Sequence, residues 1–327
     1  MKLRANGLGA AAAAAVLLST VAAYAGDLTL YTSQPEADAA KTVEAFQAVN
    51  PDVKVQVFRS GTSDILSKMA AEFAAGAPQA DVLLIADAVS MEGLKAQDRL
   101  LSYPEADVTG LGEGTYDADK TYFGSKLITT GIAYNSEAPV QPATWADLTK
   151  PEIKDQIVMP SPLYSGAAAF LLSSFVADTS MGWKYFEDLK ANGLVAVRGN
   201  GAVLKSVASG EKPYGILVDF MALNAKAKGS PIEFVFPPEG VVAVTEPVAI
   251  MKSTDNEADA KKFVDFILSD AGQKLALEQG YLPAKASVGK PAWLPEGAEI
   301  KIFPADIKAI TAATEGDKSK FGEMFGG

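Results

Sequence analysis

Short apolar stretches along the chain are each followed by a longer stretch with apolar residues three and four positions apart, the rhythm of strands leading into helices. Residues 27–31 alternate polar and apolar, 36–49 have helical spacing, and 53–58 alternate again after a break at Asn50-Pro51. Residues 62–75 predict a helix. Residues 81–86 form the continuous apolar run of a strand covered on both faces, so the first unit reads as an α/β domain with a mostly parallel sheet.

The rhythm changes at residues 122–128 and 130–134, which read as extended segments. A second unit then begins, with a short helix or turn at 145–148, strands at 157–159, 194–197 and 214–218, and helices at 166–176, 181–192 and 201–209. The apolar run after Gly240 is long enough to cross back, and helices at 258–269 and 271–279 are expected to cover the first unit. The expected fold is α/β with two lobes, each a mainly parallel sheet flanked by helices. Residues 26–127 and 249–327 make a discontinuous first lobe and 128–248 make the second, with a two-strand hinge near 128–133 and 242–248.

Composition then removes whole classes of chemistry. The sequence has no Cys and no His, which excludes disulfides, thiolate nucleophiles, His-based proton transfer and the usual Zn, Cu or Ni ligand sets. At its start, Lys2 and Arg4 precede an apolar run over 8–18 that ends at Ala23-Tyr24-Ala25, the pattern of a secretory signal peptide over residues 1–25. The expected mature chain therefore begins near Gly26 and works in the periplasm. Net charge is −11, and loss of Lys2 and Arg4 leaves 27 cations against 40 acids, or −13. With no dense Lys/Arg stripe, nucleic acid is not an expected partner.

Ligands of open α/β sheets sit beyond the carboxyl ends of the strands. The loops there hold Thr32 and Ser33, then Ser60, Gly61, Thr62 and Ser63, then Asp87; in the second unit they hold Tyr164, Ser165, Gly166 and Ala167, then Arg198, then Asp219. Hydroxyls and glycines at helix starts suit a phosphate, phosphonate or carboxylate, although Ser63 and Ser165 also fit ordinary N-caps. Arg198 is placed either to clamp an anion or as a surface charge. Asp87, Asp219 and Glu239, the last in the turn Pro237-Pro-Glu-Gly240, either hold an amine, a sugar hydroxyl or a hard cation or serve as caps or solvated acids. An exported hydrolase is the competing class. It lacks a base for a Ser nucleophile, and only three Trp residues are present for a sugar-chain cleft.

The exported start and the segments Leu28-Thr-Leu-Tyr-Thr-Ser33, Phe58-Arg-Ser-Gly-Thr-Ser63, Pro160-Ser-Pro-Leu-Tyr-Ser-Gly-Ala167, Gly199-Asn-Gly-Ala-Val-Leu-Lys-Ser206 and Pro237-Pro-Glu-Gly240 together resemble the solute-binding proteins of ABC importers. Within them the chain resembles the ferric-iron and organophosphate subclass. The resemblance implies a type II periplasmic-binding-protein fold and a monomer that is not an enzyme and needs no cofactor or resident metal. It implies capture of a small anionic solute, phosphorylated or a phosphonate, by hinge closure and its delivery to an inner-membrane permease with its ATPase. The alternative it implies is Fe(III), for which members carry an adjacent Tyr pair and often a His, whereas in this chain Tyr164 and Tyr214 each stand alone and no His is present. By the same resemblance, Ser33, Ser60, Thr62, Ser165, Gly166 and Ala167 hold the phosphoryl group and Asp219 and Glu239 the distal end.

Overall fold

The computed structural model describes residues 27–112 and 114–326, and the expected leader over 1–25 lies outside them. In chain order the first lobe opens with β1 (Asp27–Thr32), α1 (Glu36–Val49), β2 (Lys54–Arg59), α2 (Thr62–Ala74), β3 (Val82–Leu84), α3 (Ala88–Ala96) and β4 (Phe123–Gly124). The chain crosses in β5 (Lys126–Asn135). The second lobe follows with β6 (Ile157–Pro160), α4 (Gly166–Ala177), α5 (Gly182–Ala191), β7 (Val195–Val197), α6 (Asn200–Ala208), β8 (Tyr214–Val218), α7 (Asp219–Ala227), β9 (Ile232–Val235) and β10 (Val242–Val244). After the return in β11 (Pro247–Ile250) come α8 (Glu257–Leu268), α9 (Asp270–Glu278), β12 (Leu282–Pro283) and α10 (Ile307–Phe325).

The first sheet has the order β2-β1-β3-β11-β4 and the second β10-β5-β8-β6-β7, with β9 and β12 also on β5. Each sheet holds three parallel strands, β2-β1-β3 in one and β8-β6-β7 in the other. The crossing strands supply the antiparallel partners: β11 runs against β3, and β5 against β8. Parallel strands here are joined by helices that cover the sheet, whereas a strand arriving from the other lobe enters from the opposite end.

Burial follows the pattern of the sequence. In β3, Val82, Leu83 and Leu84 are all buried, because helices lie on both faces of that strand. The second lobe is centred on Trp145, Phe175, Tyr185 and Phe186, with the Phe175 ring 5.0 Å from Trp145 in an edge-on arrangement. The stretch expected to remain with the first lobe bridges to the second near its end, α10 packing on α3 as well as on α4. Ile302 pairs with Val241, Phe303 packs 5.0 Å from Phe175, and Phe321 of α10 lies 6.2 Å from Phe186. The apolar face of α10 finds its complement on α4, a pairing across more than a hundred residues that local periodicity does not encode.

Asp219 starts α7 and is buried. Its carboxylate accepts from the Thr129 hydroxyl of β5 at 2.8 Å and from the Phe220 N–H at 2.7 Å. Burial dominates over these hydrogen bonds and pushes its pKa up to about 7. The folded state thus binds this proton more tightly than the unfolded chain, whose Asp titrates near 4. The resulting stabilisation is complete below about pH 4 and is lost as pH rises to about 7. Asp219→Asn mimics the protonated form and removes this dependence. The melting temperature of the variant relative to wild type should therefore rise between pH 4 and 7 and level off above, as followed by thermal unfolding; a flat difference across that range would refute the assignment.

Candidate functional site

A cleft of about 450 Å3 lies between the lobes, and its walls are mostly the first residues of helices. From the first lobe come Ser33 and Pro35 before α1, and Gly61 and Thr62 at α2. From the second come Ser165, Gly166 and Ala167 at α4, Gly199 to Ala202 at α6, and Phe220 and Met221 at α7. The backbone N–H groups of Thr62, Gly166, Ala167, Asn200 and Gly201 have no acceptor among the described residues. They belong to the unpaired first turn that every α-helix has. Gly61 and Gly199 provide no side chain to cap α2 and α6. The cleft is accordingly rich in donors and faces the positive ends of several helix dipoles.

Hydroxyls add to this donor set. Ser165 Oγ accepts from the Ala168 N–H at 3.3 Å, which leaves its proton for the cleft, and Asn200 Nδ2 lies 3.4 Å from the same oxygen. Ser33 Oγ accepts from the Ala86 N–H at 3.0 Å and so ties the β1 loop to the β3 loop. Thr62 Oγ1 is buried with no hydrogen-bond partner among the described residues.

The lobes touch where side chains are smallest. A Cβ on Gly166 would lie 2.2 Å from Asp87 Oδ2 and 2.8 Å from Thr62 Oγ1, so only glycine lets α4 approach the first lobe this closely. A Cβ on Gly61 would lie 2.6 Å from the Tyr164 ring, and one on Gly199 would meet the same ring at 2.9 Å. Arg198 stacks over Tyr164 at 4.7 Å and reaches across to Asp64 at 2.8 Å. Tyr164 and, after it, Asp64 raise the guanidinium's already high pKa.

Of the residues singled out in the sequence, Ser33, Gly61, Thr62, Tyr164, Ser165, Gly166, Ala167 and Arg198 line this cleft. The others are engaged elsewhere. Thr32 is buried and donates to the Leu84 carbonyl at 2.8 Å, and Ser60 donates to Asp64 at 2.8 Å. Ser63 and Asp87 line a second cavity of about 520 Å3 between α2, α3, α4 and α10. Asp87 also caps α3 by accepting from the Ser90 N–H, and burial raises its pKa despite that bond. The Asp219 carboxylate is consumed by Thr129 and Phe220. Glu239 lies near Tyr185, in the turn whose Gly240 carbonyl accepts from Trp145.

Glu246 was not among the sequence candidates, yet it lines the cleft from the hinge between β10 and β11. It is 2% exposed, pairs with Lys126 at 2.6 Å and has φ of 31°. Burial raises the Glu246 pKa, and Lys126 opposes that rise. Its signal was present in the sequence: Glu246 is the lone charge in an apolar crossing segment. Glu36, Arg59 and Asn200 complete the polar lining. Among the described residues, no group of three or more carboxylates is gathered to hold a metal ion, and no helix is long and apolar enough to cross a membrane.

The chain is similar to several known proteins. A probable ABC transporter periplasmic-binding protein, y4fP, of Sinorhizobium fredii is 27% identical over 92% of this chain and 87% of its own. The spermidine/putrescine-binding periplasmic protein of Escherichia coli is 27% identical over 55% of this chain and 54% of its own. Among solved structures, the periplasmic binding protein AfuA of Actinobacillus pleuropneumoniae, with fructose-6-phosphate bound, superposes with a TM-score of 0.83 at 23% identity, covering 92% of this chain and 98% of that one. The ferric binding protein of Campylobacter jejuni gives 0.78 at 20% identity, covering 91% and 99%. These likenesses show the fold, that of type II periplasmic binding proteins. Residues 77–308 match the family model of the bacterial extracellular solute-binding proteins, and the chain belongs to that family, as the solute-binding component of an ABC transporter.

Proposed function

We propose that the protein is exported to the periplasm, where it captures a small phosphorylated or phosphonate organic solute between its lobes and presents it to a membrane permease. The observation that carries this reading is the convergence of unpaired N–H groups from α2, α4 and α6, drawn from both lobes, on one cleft. An anion there accepts from both lobes at once and so favours the closed form over the open one. The hydroxyls of Thr62 and Ser165 extend the same donor set. The fructose-6-phosphate bound to AfuA fits this reading.

Two other ligand classes fit the cleft less well. Fe(III) prefers phenolate and carboxylate oxygens, but Tyr164 is packed beneath Arg198 and between two glycines. Polyamines, named for the Escherichia coli relative, would place several positive charges against the positive ends of helices, with only Glu36 and Glu246 among the lining residues to offset them.

Ser165→Ala should weaken binding of a phosphoryl ligand by about 10- to 150-fold, the loss of one charge-assisted hydrogen bond. Under the iron alternative, Tyr164→Phe abolishes Fe(III) binding while Ser165→Ala has little effect. Calorimetric titration of both variants with fructose 6-phosphate, 2-aminoethylphosphonate and ferric citrate separates the readings. Undiminished organophosphate binding in Ser165→Ala, or tight Fe(III) binding lost in Tyr164→Phe, would overturn the proposal.

Gly61→Ala tests closure itself. Its methyl group would meet the Tyr164 ring at 2.6 Å, so the lobes cannot close fully. The variant should unfold at a temperature near that of wild type yet bind the same organophosphate at least about tenfold more weakly, since ligand affinity falls with the population of the closed form. Wild-type affinity in this variant would show that the contact across the cleft is not needed.

A further inference from the structure

A carboxylate stands where the lobes meet, outside the residues that line the cleft. Asp87 immediately precedes α3 of the first lobe and is 4% exposed. Its Oδ1 accepts from the Ser90 N–H at 2.5 Å and so caps α3. Its Oδ2 lies against the second lobe: a Cβ on Gly166, the first residue of α4, would come within 2.2 Å of it. The opposite lobe therefore forms part of the cover over this carboxylate. Helix α10, which packs on both α3 and α4, closes the cavity beside it.

The surroundings do little to hold a charge there. Among the described residues no cation lies within ion-pair distance of Asp87, and Lys318 of α10, which lines the same cavity, pairs with Glu315 at 2.9 Å. The neighbours from the other elements are Thr62 and Ser63 of α2, Ser90 of α3, and Gly166, Ala169 and Phe170 of α4. Glu315 and Lys318 are thus the only charged residues besides Asp87 around this cavity. Burial outweighs the Ser90 hydrogen bonds and the distant attraction of Lys318, and holds the carboxyl above its ordinary value. Parting the lobes takes Gly166 away from Oδ2 and admits water, so the group returns toward its ordinary value of about 4. The closed form then binds this proton more tightly than the open one. The resulting bias toward closure is complete below about pH 4 and is lost as pH rises through the raised value.

We propose that closing the lobes takes up a proton at Asp87, so that the protein holds its solute more tightly as its surroundings become acidic. The inference rests on closure of the two lobes around a solute and not on which solute is bound. Asp87 touches no ligand in this scheme. It acts through the balance between open and closed forms, which it shifts because one lobe carries the carboxylate and the other covers it.

Two measurements on wild type and Asp87→Asn test it; Asn is neutral and still caps a helix. The first needs no ligand. The chain has no Cys, so Lys41→Cys on exposed α1 and Glu187→Cys on exposed α5 give one spin-label pair across the lobes. Pulsed electron-spin distances should show the closed fraction rising from about pH 7 to about pH 4 in the otherwise wild-type chain and changing less in the Asp87→Asn background. The second is calorimetric titration with fructose 6-phosphate over the same range. The affinity of wild type relative to Asp87→Asn should fall by at least about threefold as pH rises, up to tenfold for each unit by which closure raises the group. Titration of the phosphate near pH 6, and of Glu246 and Asp219, is common to both proteins and cancels in this ratio. If thermal unfolding shows that Asp87→Asn does not fold, Asp87→Ser, also neutral and a good cap, takes its place. The same pH dependence of the closed fraction in wild type and variant overturns the inference, as does a ratio of affinities that stays flat. Failure of fructose 6-phosphate to bind either protein counts against the phosphoryl reading, and the distance measurement then decides the inference by itself.

Discussion

The buried pair of Lys126 and Glu246 is the interaction through which the two lobes and the cleft are joined. Lys126 begins the strand that leaves the first lobe, and Glu246 immediately precedes the strand that returns to it. Taking two charges out of water costs several kcal/mol each, so such a pair persists only where its geometry is well supported. Here the Ser125 hydroxyl donates to the Glu246 carbonyl at 2.6 Å, and the Tyr281 ring covers the ammonium. Tyr281 in turn donates to Asp38 of α1 and stacks on Phe220 of α7. One contact chain thus runs from a first-lobe helix through both crossings to a second-lobe helix and the cleft floor. The positive φ of Glu246 is uncommon for a residue with a side chain and costs about 1 kcal/mol or more, a strain held in place by these surrounding bonds.

Donors and acceptors are sorted to different parts of the cleft by this arrangement. Helix starts from both lobes line its walls and leave N–H groups free, whereas the hinge contributes Glu246 to the lining, paired with Lys126. These wall groups come from both lobes, Thr62 from one and Ser165, Gly166 and Gly201 from the other. Close approach is steric before it is electrostatic. Gly166 against Asp87, and Gly61 and Gly199 against the Tyr164 ring, let the surfaces meet at distances that any Cβ would prevent. The exposed Arg198–Asp64 pair spans the same junction and adds little by itself, since solvent screens it.

Much of this was legible in the order of residues. The helical spacing of 36–49 corresponds to α1, the apolar run at 81–86 contains β3, and the hydroxyl- and glycine-bearing loops at residues 60–62 and 164–167 fall where strands feed helix starts. These features are local: they depend on which face of a segment is apolar and on which residue types tolerate a turn or a cap, and neighbours in sequence determine both. A Gly-Thr or Ser-Gly at a helix start announces unpaired N–H groups whatever the remainder of the chain does.

What the sequence by itself determined, then, was two α/β units joined by apolar crossings and a donor-rich set of loops without His or Cys chemistry. Only the tertiary structure decided which acids line the cleft. Asp219 stands at a strand end and Glu239 in a Pro-Pro turn, both persuasive positions in sequence, but Asp219 spends its carboxylate on Thr129, 90 residues away. Glu246 stood out as the lone charge of its segment, but its role did not, because its partner Lys126 is 120 positions distant. The same limit applies to α10, whose apolar face was visible but whose seat on α4 of the second lobe was not. Periodicity records that a face must be buried; which surface buries it is settled by shape and charge complementarity between segments that meet only after the chain has folded.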